Sequence, residues 1–257
     1  MTVVPKKALG QHFLVDENIL GVIGRLAVLQ LDDVVLEVGP GLGVLTRYLA
    51  ARVRLVHAVE LDRSLEEPLL AALGGHENVR LAFGDALALD FGALDPQPRK
   101  LVANLPYNIA TPLVVETLEH TPSLEGWCVM VQREVAERFF ATPRTKAYGA
   151  VSVLVQLTAR KTGFHAVPAT VFRPRPRVES ALVAFARTPG PPLTAVRPVV
   201  EAAFAHRRKT LANSASLAGL ASRARVEEAL AAIDRSVRAR AEELAPDDFV
   251  ALADALR

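Results

Sequence analysis

Cysteine is almost absent from this chain of 257 residues, Cys128 being the only one. No intramolecular disulfide can form, no cysteine cluster can hold a metal, and a reducing compartment suits such a chain. Long apolar runs are missing too. No segment approaches the roughly 20 apolar residues of a membrane span, and Met1 to Lys7 lacks the extended apolar core of a signal peptide. The sequence therefore predicts a cytoplasmic protein with no membrane association and no metal site. There is no low-complexity tract and no internal repeat, which sets aside disordered chains and solenoids. Net charge is only +2, so total charge alone does not call for a nucleic-acid partner.

What is present is an apolar fraction of 51% with 23% charged residues, the make-up of a globular enzyme. A chain of this size buries roughly 70–75% of its unfolded surface and suits one large domain with a small appendage. Charge is unevenly distributed. Residues 1–159 carry 14 basic and 18 acidic groups, whereas residues 160–257 carry 16 basic and 10 acidic groups. Between Arg173 and Lys209, eight basic groups face only Glu179 and Glu201. Such asymmetry fits either a polyanion-facing surface on the C-terminal side or a solvated arginine-rich face.

The first two-thirds of the chain alternate short β-branched runs with helical stretches. Val34 to Val38, Leu55 to Val59, Val79 to Phe83, Leu101 to Ala103 and Trp127 to Val131 read as strands, with helical patterns such as Val44 to Ala51 and Pro112 to Glu119 between them. This alternation predicts a parallel sheet with helices on both faces. Ala159 to His165 and Ala181 to Arg187 look like two further strands joined without a long helix, which can pair antiparallel. The expected fold is α/β, a Rossmann-like, seven-stranded and mostly parallel sheet. Thr188-Pro189-Gly190-Pro191-Pro192 is a stiff breaker. Beyond it only helices are read, over Val196 to Phe204, Lys209 to Leu217, Val226 to Ile233 and Asp247 to Leu256. The expected division is a sheet domain over 1–188 and a small all-helical domain over 189–257.

Ligands of open parallel sheets bind at the carboxyl ends of the strands. The first strand ends in Glu37-Val38-Gly39-Pro40-Gly41-Leu42-Gly43. A dinucleotide fingerprint would need glycine at Val44. The spacing found, Gly39, Gly41 and Gly43, is typical of S-adenosylmethionine sites, which have no pyrophosphate to cradle. The next strand ends in Glu60-Leu61-Asp62, where Glu60 can accept hydrogen bonds from both ribose hydroxyls. The third ends in Gly84-Asp85-Ala86, where Asp85 can accept from an adenine amino group. Each acid alone could equally be a helix cap, but all of these features follow successive strands.

The fourth strand ends in Asn104-Leu105-Pro106-Tyr107-Asn108-Ile109. An exocyclic aromatic amine is a poor nucleophile because its lone pair is delocalised into the ring. A site that accepts both N–H protons draws the nitrogen toward tetrahedral geometry and frees that pair. Asn104 supplies one side-chain carbonyl, and a main-chain carbonyl of Leu105 or Pro106 supplies the other. Pro106 fixes the turn, and Tyr107 offers a flat face for a flipped base, worth ~1–3 kcal/mol.

With these motifs in order, the chain resembles the bacterial 16S ribosomal RNA adenine N6,N6-dimethyltransferase family (KsgA/RsmA). The likeness starts at Leu9-Gly10-Gln11-His12-Phe13-Leu14 and runs through the motifs above. It continues in Lys146-Ala147-Tyr148-Gly149 and Phe172-Arg173-Pro174-Arg175-Pro176-Arg177-Val178-Glu179-Ser180, then Ala203-Phe204 and Arg207-Arg208-Lys209-Thr210-Leu211. It spans about residues 6 to 217. The resemblance implies a class I S-adenosylmethionine methyltransferase. Its cofactor would touch Gln11, His12, Leu14, Gly39, Gly41, Glu60, Leu61, Asp85, Ala86 and Asn104. Phe172 would sandwich the target base opposite Tyr107. The implied substrate is a pair of adjacent adenosines in the 3'-terminal hairpin of 16S rRNA, each receiving two methyl groups, with the small ribosomal subunit as partner and the enzyme a monomer. Arg173, Arg175 and Arg177 on a proline-stiffened loop, and Arg207, Arg208 and Lys209 in the helical domain, are the expected RNA contacts. Two other readings share the fold: a macrolide-resistance type methyltransferase of large-subunit RNA, and a catalytically idle RNA-binding assembly factor. The residues after 172 argue against the first, and intact Asn104, Pro106 and Tyr107 against the second.

Overall fold

The computed structural model describes Lys6 and residues 11–257. Most of the Met1 to Lys7 stretch, and Leu9 and Gly10 of the first motif, lie outside the described residues. The strands in chain order are β1 (Phe13–Leu14), β2 (Val34–Val38), β3 (Leu55–Glu60), β4 (Val79–Phe83), β5 (Lys100–Asn104), β6 (Gly126–Gln132), β7 (Ala159–Val167), β8 (Phe172–Arg173) and β9 (Ser180–Arg187). The helices are α1 (Glu17–Leu26), α2 (Val44–Ala50), α3 (Glu66–Leu73), α4 (Ala110–His120), α5 (Arg133–Phe139), α6 (Ala150–Thr158), α7 (Leu193–Phe204), α8 (Leu211–Leu217), α9 (Arg223–Ala232) and α10 (Pro246–Leu256).

Seven strands form one sheet in the order β4-β3-β2-β5-β6-β9-β7. The pairs β2/β3, β3/β4, β2/β5 and β5/β6 are parallel, and β9 runs antiparallel to β6. β2 and β3 are buried along their whole lengths, as parallel strands covered on both faces must be. The chain leaves β2 through β3 and β4 and returns to its other side as β5. That reversal between β2 and β5 parts the loops that follow them and opens a crevice at their carboxyl ends. A separate two-stranded sheet pairs β1 with β8 antiparallel, Phe13 opposite Arg173 and Leu14 opposite Phe172; sequence patterning does not reveal it.

The chain forms two compact units. One comprises the residues up to Ala136 with Lys161–Arg187; the other comprises Glu137–Arg160 with Thr188–Arg257. The break at Thr188 coincides with the Pro-Gly-Pro-Pro stretch. The helical unit nevertheless differs from the expected 189–257, because it also takes in residues 137–160. The reason is packing: α6 lies against α7 and α10, and the Tyr148 hydroxyl donates to Leu244 O at 2.9 Å. Tyr148 also meets Phe204 edge-on at 6.0 Å, and Phe204 stacks on Phe249 at 5.7 Å. Val-rich α6 could pass for a strand, but Ser152 Oγ accepts from Gly149 N at 3.1 Å and so caps its first turn. Among the described residues no helix is long and apolar enough to cross a membrane, and no group of His, Cys, Asp and Glu could hold a metal ion.

Candidate active site

After β2 the backbone turns through Gly39 and Gly41 at φ of 76° and 60°, conformations open to glycine and strained for L side chains. A Cβ on Gly39 would stand 3.2 Å from Pro106 Cδ, and one on Gly41 would stand 3.1 Å from Phe13 Cδ1. The missing side chains therefore let the Asn104 turn and the β1 strand close on the end of β2. Gly39 N donates to Val59 O at 2.9 Å, holding the turn against β3.

Glu60 ends β3 with its side chain buried. One carboxylate oxygen accepts from Gly41 N at 3.0 Å and the other from Asp62 N at 2.9 Å. Each oxygen keeps a second lone-pair direction for a ligand hydroxyl. Asp85 lies two residues beyond β4; its Oδ1 accepts from Leu87 N at 3.0 Å, and Oδ2 has no partner among the described residues. Asp62 is also buried and accepts from Lys6 Nζ, Gln11 Nε2, Ser64 N and Ser64 Oγ. Burial alone would raise its pKa, but hydrogen bonds from Lys6, Ser64 and Gln11 outweigh it and hold the carboxyl well below the usual range.

Asn104 ends β5. Its Nδ2 donates to His12 O at 3.2 Å. A carbonyl can face only the donor end of the amide, so Oδ1 is left as an acceptor. The two candidate main-chain carbonyls are distinguished as well. Pro106 O already accepts from Ile109 N and Ala110 N, both at 3.1 Å, opening α4. Leu105 N donates to Met130 O at 3.0 Å, while Leu105 O accepts from no described residue. Tyr107 Oη shares a 2.7 Å hydrogen bond with Ser180 Oγ, and its ring lies 5.7 Å from the His12 ring, tilted by 30°. Burial raises the Tyr107 pKa against the Ser180 hydrogen bond, so the phenol stays neutral. His12 Nδ1 pairs with Pro174 O at 2.7 Å.

Glu60, Asp85, Asn104, Leu105, Tyr107, His12 and the glycine turn, though not Asp62, border one cavity of about 230 Å³, lined by residues 11–14, 37–42, 44–45, 59–61, 65, 84–86 and 104–109. It gathers Gln11, His12, Leu14, Gly39, Gly41, Glu60, Leu61, Asp85, Ala86, Asn104, Leu105, Pro106 and Tyr107. Phe172 is a correction. It does not line the cavity; it is 0% exposed and packs in the core with Leu14 and Leu182. Its strand pairs with β1 and turns the ring inward, so it offers no face to a base. Arg173, Arg175 and Arg177 are exposed in the sheet unit, and Arg207, Arg208 and Lys209 are exposed in the helical unit between α7 and α8. Of the lining residues outside the site assigned from sequence, Phe13 and Glu37 bear most on its shape and charge. Phe13 packs on Gly41, a contact its place in the Gln-His-Phe-Leu motif hinted at, and Glu37 sits inside β2.

Glu37 is 1% exposed, and its Oε2 has no hydrogen-bond partner among the described residues. Burial, and then the Glu60 carboxylate, push its pKa up to about 8, while the neighbouring Thr46 hydroxyl acts in the opposite direction. An acid whose pKa rises on folding holds its proton more tightly in the native state. Its contribution is then complete below the ordinary value of 4.5 and is lost as pH rises toward about 8. In ligand-free protein, Glu37→Gln should match the parent's pH trend near pH 4 and gain relative stability as pH rises to 9. Denaturant unfolding across that range checks this; a difference independent of pH would refute it.

Comparison with known proteins agrees with this geometry. The ribosomal RNA adenine dimethylase family model matches residues 4–256. The chain is 52% identical over 250 residues to ribosomal RNA small subunit methyltransferase A of Rubrobacter xylanophilus, covering 96% of this chain and 94% of that one. Among solved structures it is similar to a dimethyladenosine transferase from Plasmodium falciparum, with TM-score 0.77, 24% identity and coverage of 94% and 96% of the two chains. It is also similar to the 23S rRNA methyltransferase ErmE, with TM-score 0.65, 30% identity and coverage of 95% and 99%.

Proposed function

The chain belongs to the ribosomal RNA adenine dimethylase family, and from that premise we propose that it uses S-adenosylmethionine to dimethylate N6 of two adjacent adenosines in the 3'-terminal hairpin of 16S rRNA. The observation that carries this reading is the Asn104 turn. Its side-chain Oδ1 and the Leu105 carbonyl are two acceptors with no partner among the described residues, standing on one cavity with the glycine turn.

The cavity fits the cofactor on two counts. A Cβ at Gly39 or Gly41 would crowd its wall, and the orphaned Glu37 oxygen can answer a cationic group. Glu60 would hold the ribose, Asp85 the adenine amine, and Gln11, His12 and Leu14 would cover the site. When bound, the cofactor supplies an electrophilic methyl on a sulfonium. Asn104 Oδ1 and Leu105 O accept hydrogen bonds from the two N6–H groups and draw the lone pair out of the adenine ring. Tyr107, held by Ser180, supports the flipped base. The product nitrogen is cationic and loses its proton readily, so no general base is required; catalysis is positioning and electrostatics. Monomethyl adenosine has one N–H left, so the second transfer can use only one of the two acceptors.

The 52% identity to a small-subunit enzyme, against 30% to a 23S enzyme, favours 16S rRNA over the large-subunit alternative. Tritiated cofactor should label undermethylated small subunits and leave large subunits unlabelled; label only in large subunits would overturn the assignment. The exposed Arg207, Arg208 and Lys209 are proposed to grip phosphates, as are Arg173, Arg175 and Arg177. Replacing the former three with alanine should lower the log-log salt slope of RNA binding by about 2–3, at roughly 0.7–0.9 per contact. An unchanged slope would reject that role.

A further inference from the structure

The cavity's outer wall is a strap, residues 11–14, fastened in different ways at its two ends. At the far end the fastening is largely backbone: β1 pairs with β8, and Val15 N donates to Val171 O at 2.9 Å. At the near end it consists of side chains converging on one buried carboxylate. Lys6 Nζ reaches Asp62 Oδ1 at 2.6 Å, and Gln11 Nε2 reaches Asp62 Oδ2 at 2.8 Å. Lys6 N donates to Gln11 Oε1 at 2.8 Å, which sets the orientation of the Gln11 amide. Asp62 N in turn donates to Glu60 Oε1, so the fastening is built onto the carboxylate proposed to hold the ribose.

We propose that Asp62 is a positioning residue that latches the N-terminal strap over the cofactor cavity and thereby sets how fast the cofactor leaves. Asp62 touches no substrate atom in this scheme; it acts through Gln11 and the backbone of His12. The proposal rests on the cofactor reading above. Charge-assisted bonds of this kind are about twice as strong as neutral ones, and Asp62, 5% exposed, is shielded from solvent screening. Lys6, with 47% of its side chain exposed, remains reachable, so the latch can open without unpacking the core.

Asp62→Asn isolates this role. An asparagine oxygen in the place of Oδ1 can still accept from Ser64 N and cap the turn after β3, whereas an amide nitrogen in the place of Oδ2 cannot accept from Gln11, and Lys6 keeps only a neutral acceptor in place of its charged partner. The ligand-free variant should exchange the backbone amides of residues 11–15 faster than the parent. S-adenosylhomocysteine should leave it about tenfold faster, and the KM for the methyl donor should rise more than kcat falls. Lys6→Met, which leaves Asp62 and the core intact, should shift the same readouts in the same direction, and the two changes together should be less than additive. Unchanged exchange and release in both variants would overturn the latch. A merely structural role would lower stability and move KM and kcat alike. Failure of the parent itself to bind S-adenosylhomocysteine would instead strike the cofactor reading, while exchange in the ligand-free protein would still test the latch.

Discussion

Asn104→Ala is expected to lower single-turnover methyl transfer, at saturating cofactor and RNA, by roughly 10²–10³, the range found when one preorganised transition-state hydrogen-bonding group is removed. Alanine deletes a side-chain acceptor whose direction is fixed by its surroundings, since His12 O holds the amide nitrogen. The fold should persist: Asn104 is the last residue of β5, and the strand's ladder to β6 is made by main-chain atoms. Cofactor affinity should fall less, because the lost Nδ2 bond to His12 is long, at 3.2 Å. Asn104→Asp is a sharper variant. It keeps an acceptor oxygen but sets a second oxygen against the His12 carbonyl, so it should also be slow. If Asn104→Ala folds and transfers methyl at the parent's rate, the proposed activation of the amine is wrong.

Glu60→Ala should act on binding instead. Its carboxylate joins the glycine turn, through Gly41 N, to the start of the next turn, through Asp62 N. Alanine removes the proposed ribose acceptor and leaves two buried N–H groups without partners. Hydrogen bonds to charged groups contribute about 1.5–3 kcal/mol each, so the expected loss in S-adenosylhomocysteine affinity is on the order of 100-fold or more. Calorimetric titration measures it directly. Turnover at saturating cofactor should change less than affinity; an affinity within a few-fold of the parent's would show that Glu60 only braces the turn.

The strands and the site's acids could be read from the sequence because their signals are local. Val34 to Val38 is apolar on both faces apart from Glu37, and Gly39, Glu60, Asp85 and Asn104 each sit at or just beyond the end of a strand, where topology makes a ligand site. Phe172 was misread because its environment is set at long range. Beside an arginine-proline loop it looks accessible, and only the pairing of β8 with Leu14 buries it. The same limit hid residues 137–160 from the helical unit, since nothing between Glu137 and Arg160 announces that Tyr148 will bond Leu244 O. Glu37 was visible as a motif letter, but its raised pKa follows from burial beside Glu60, which emerges only once β2 and β3 lie side by side.

The Asn104 amide has two ends with two correspondents. Its nitrogen is occupied only when His12 is seated, and its oxygen is the end offered to the incoming base. With His12 displaced, the bond that fixes the amide's orientation is gone. In the proposed mechanism, donor enclosure and acceptor alignment are therefore tied in one side chain, so an adenosine reaching a pocket from which His12 is displaced should be methylated more slowly.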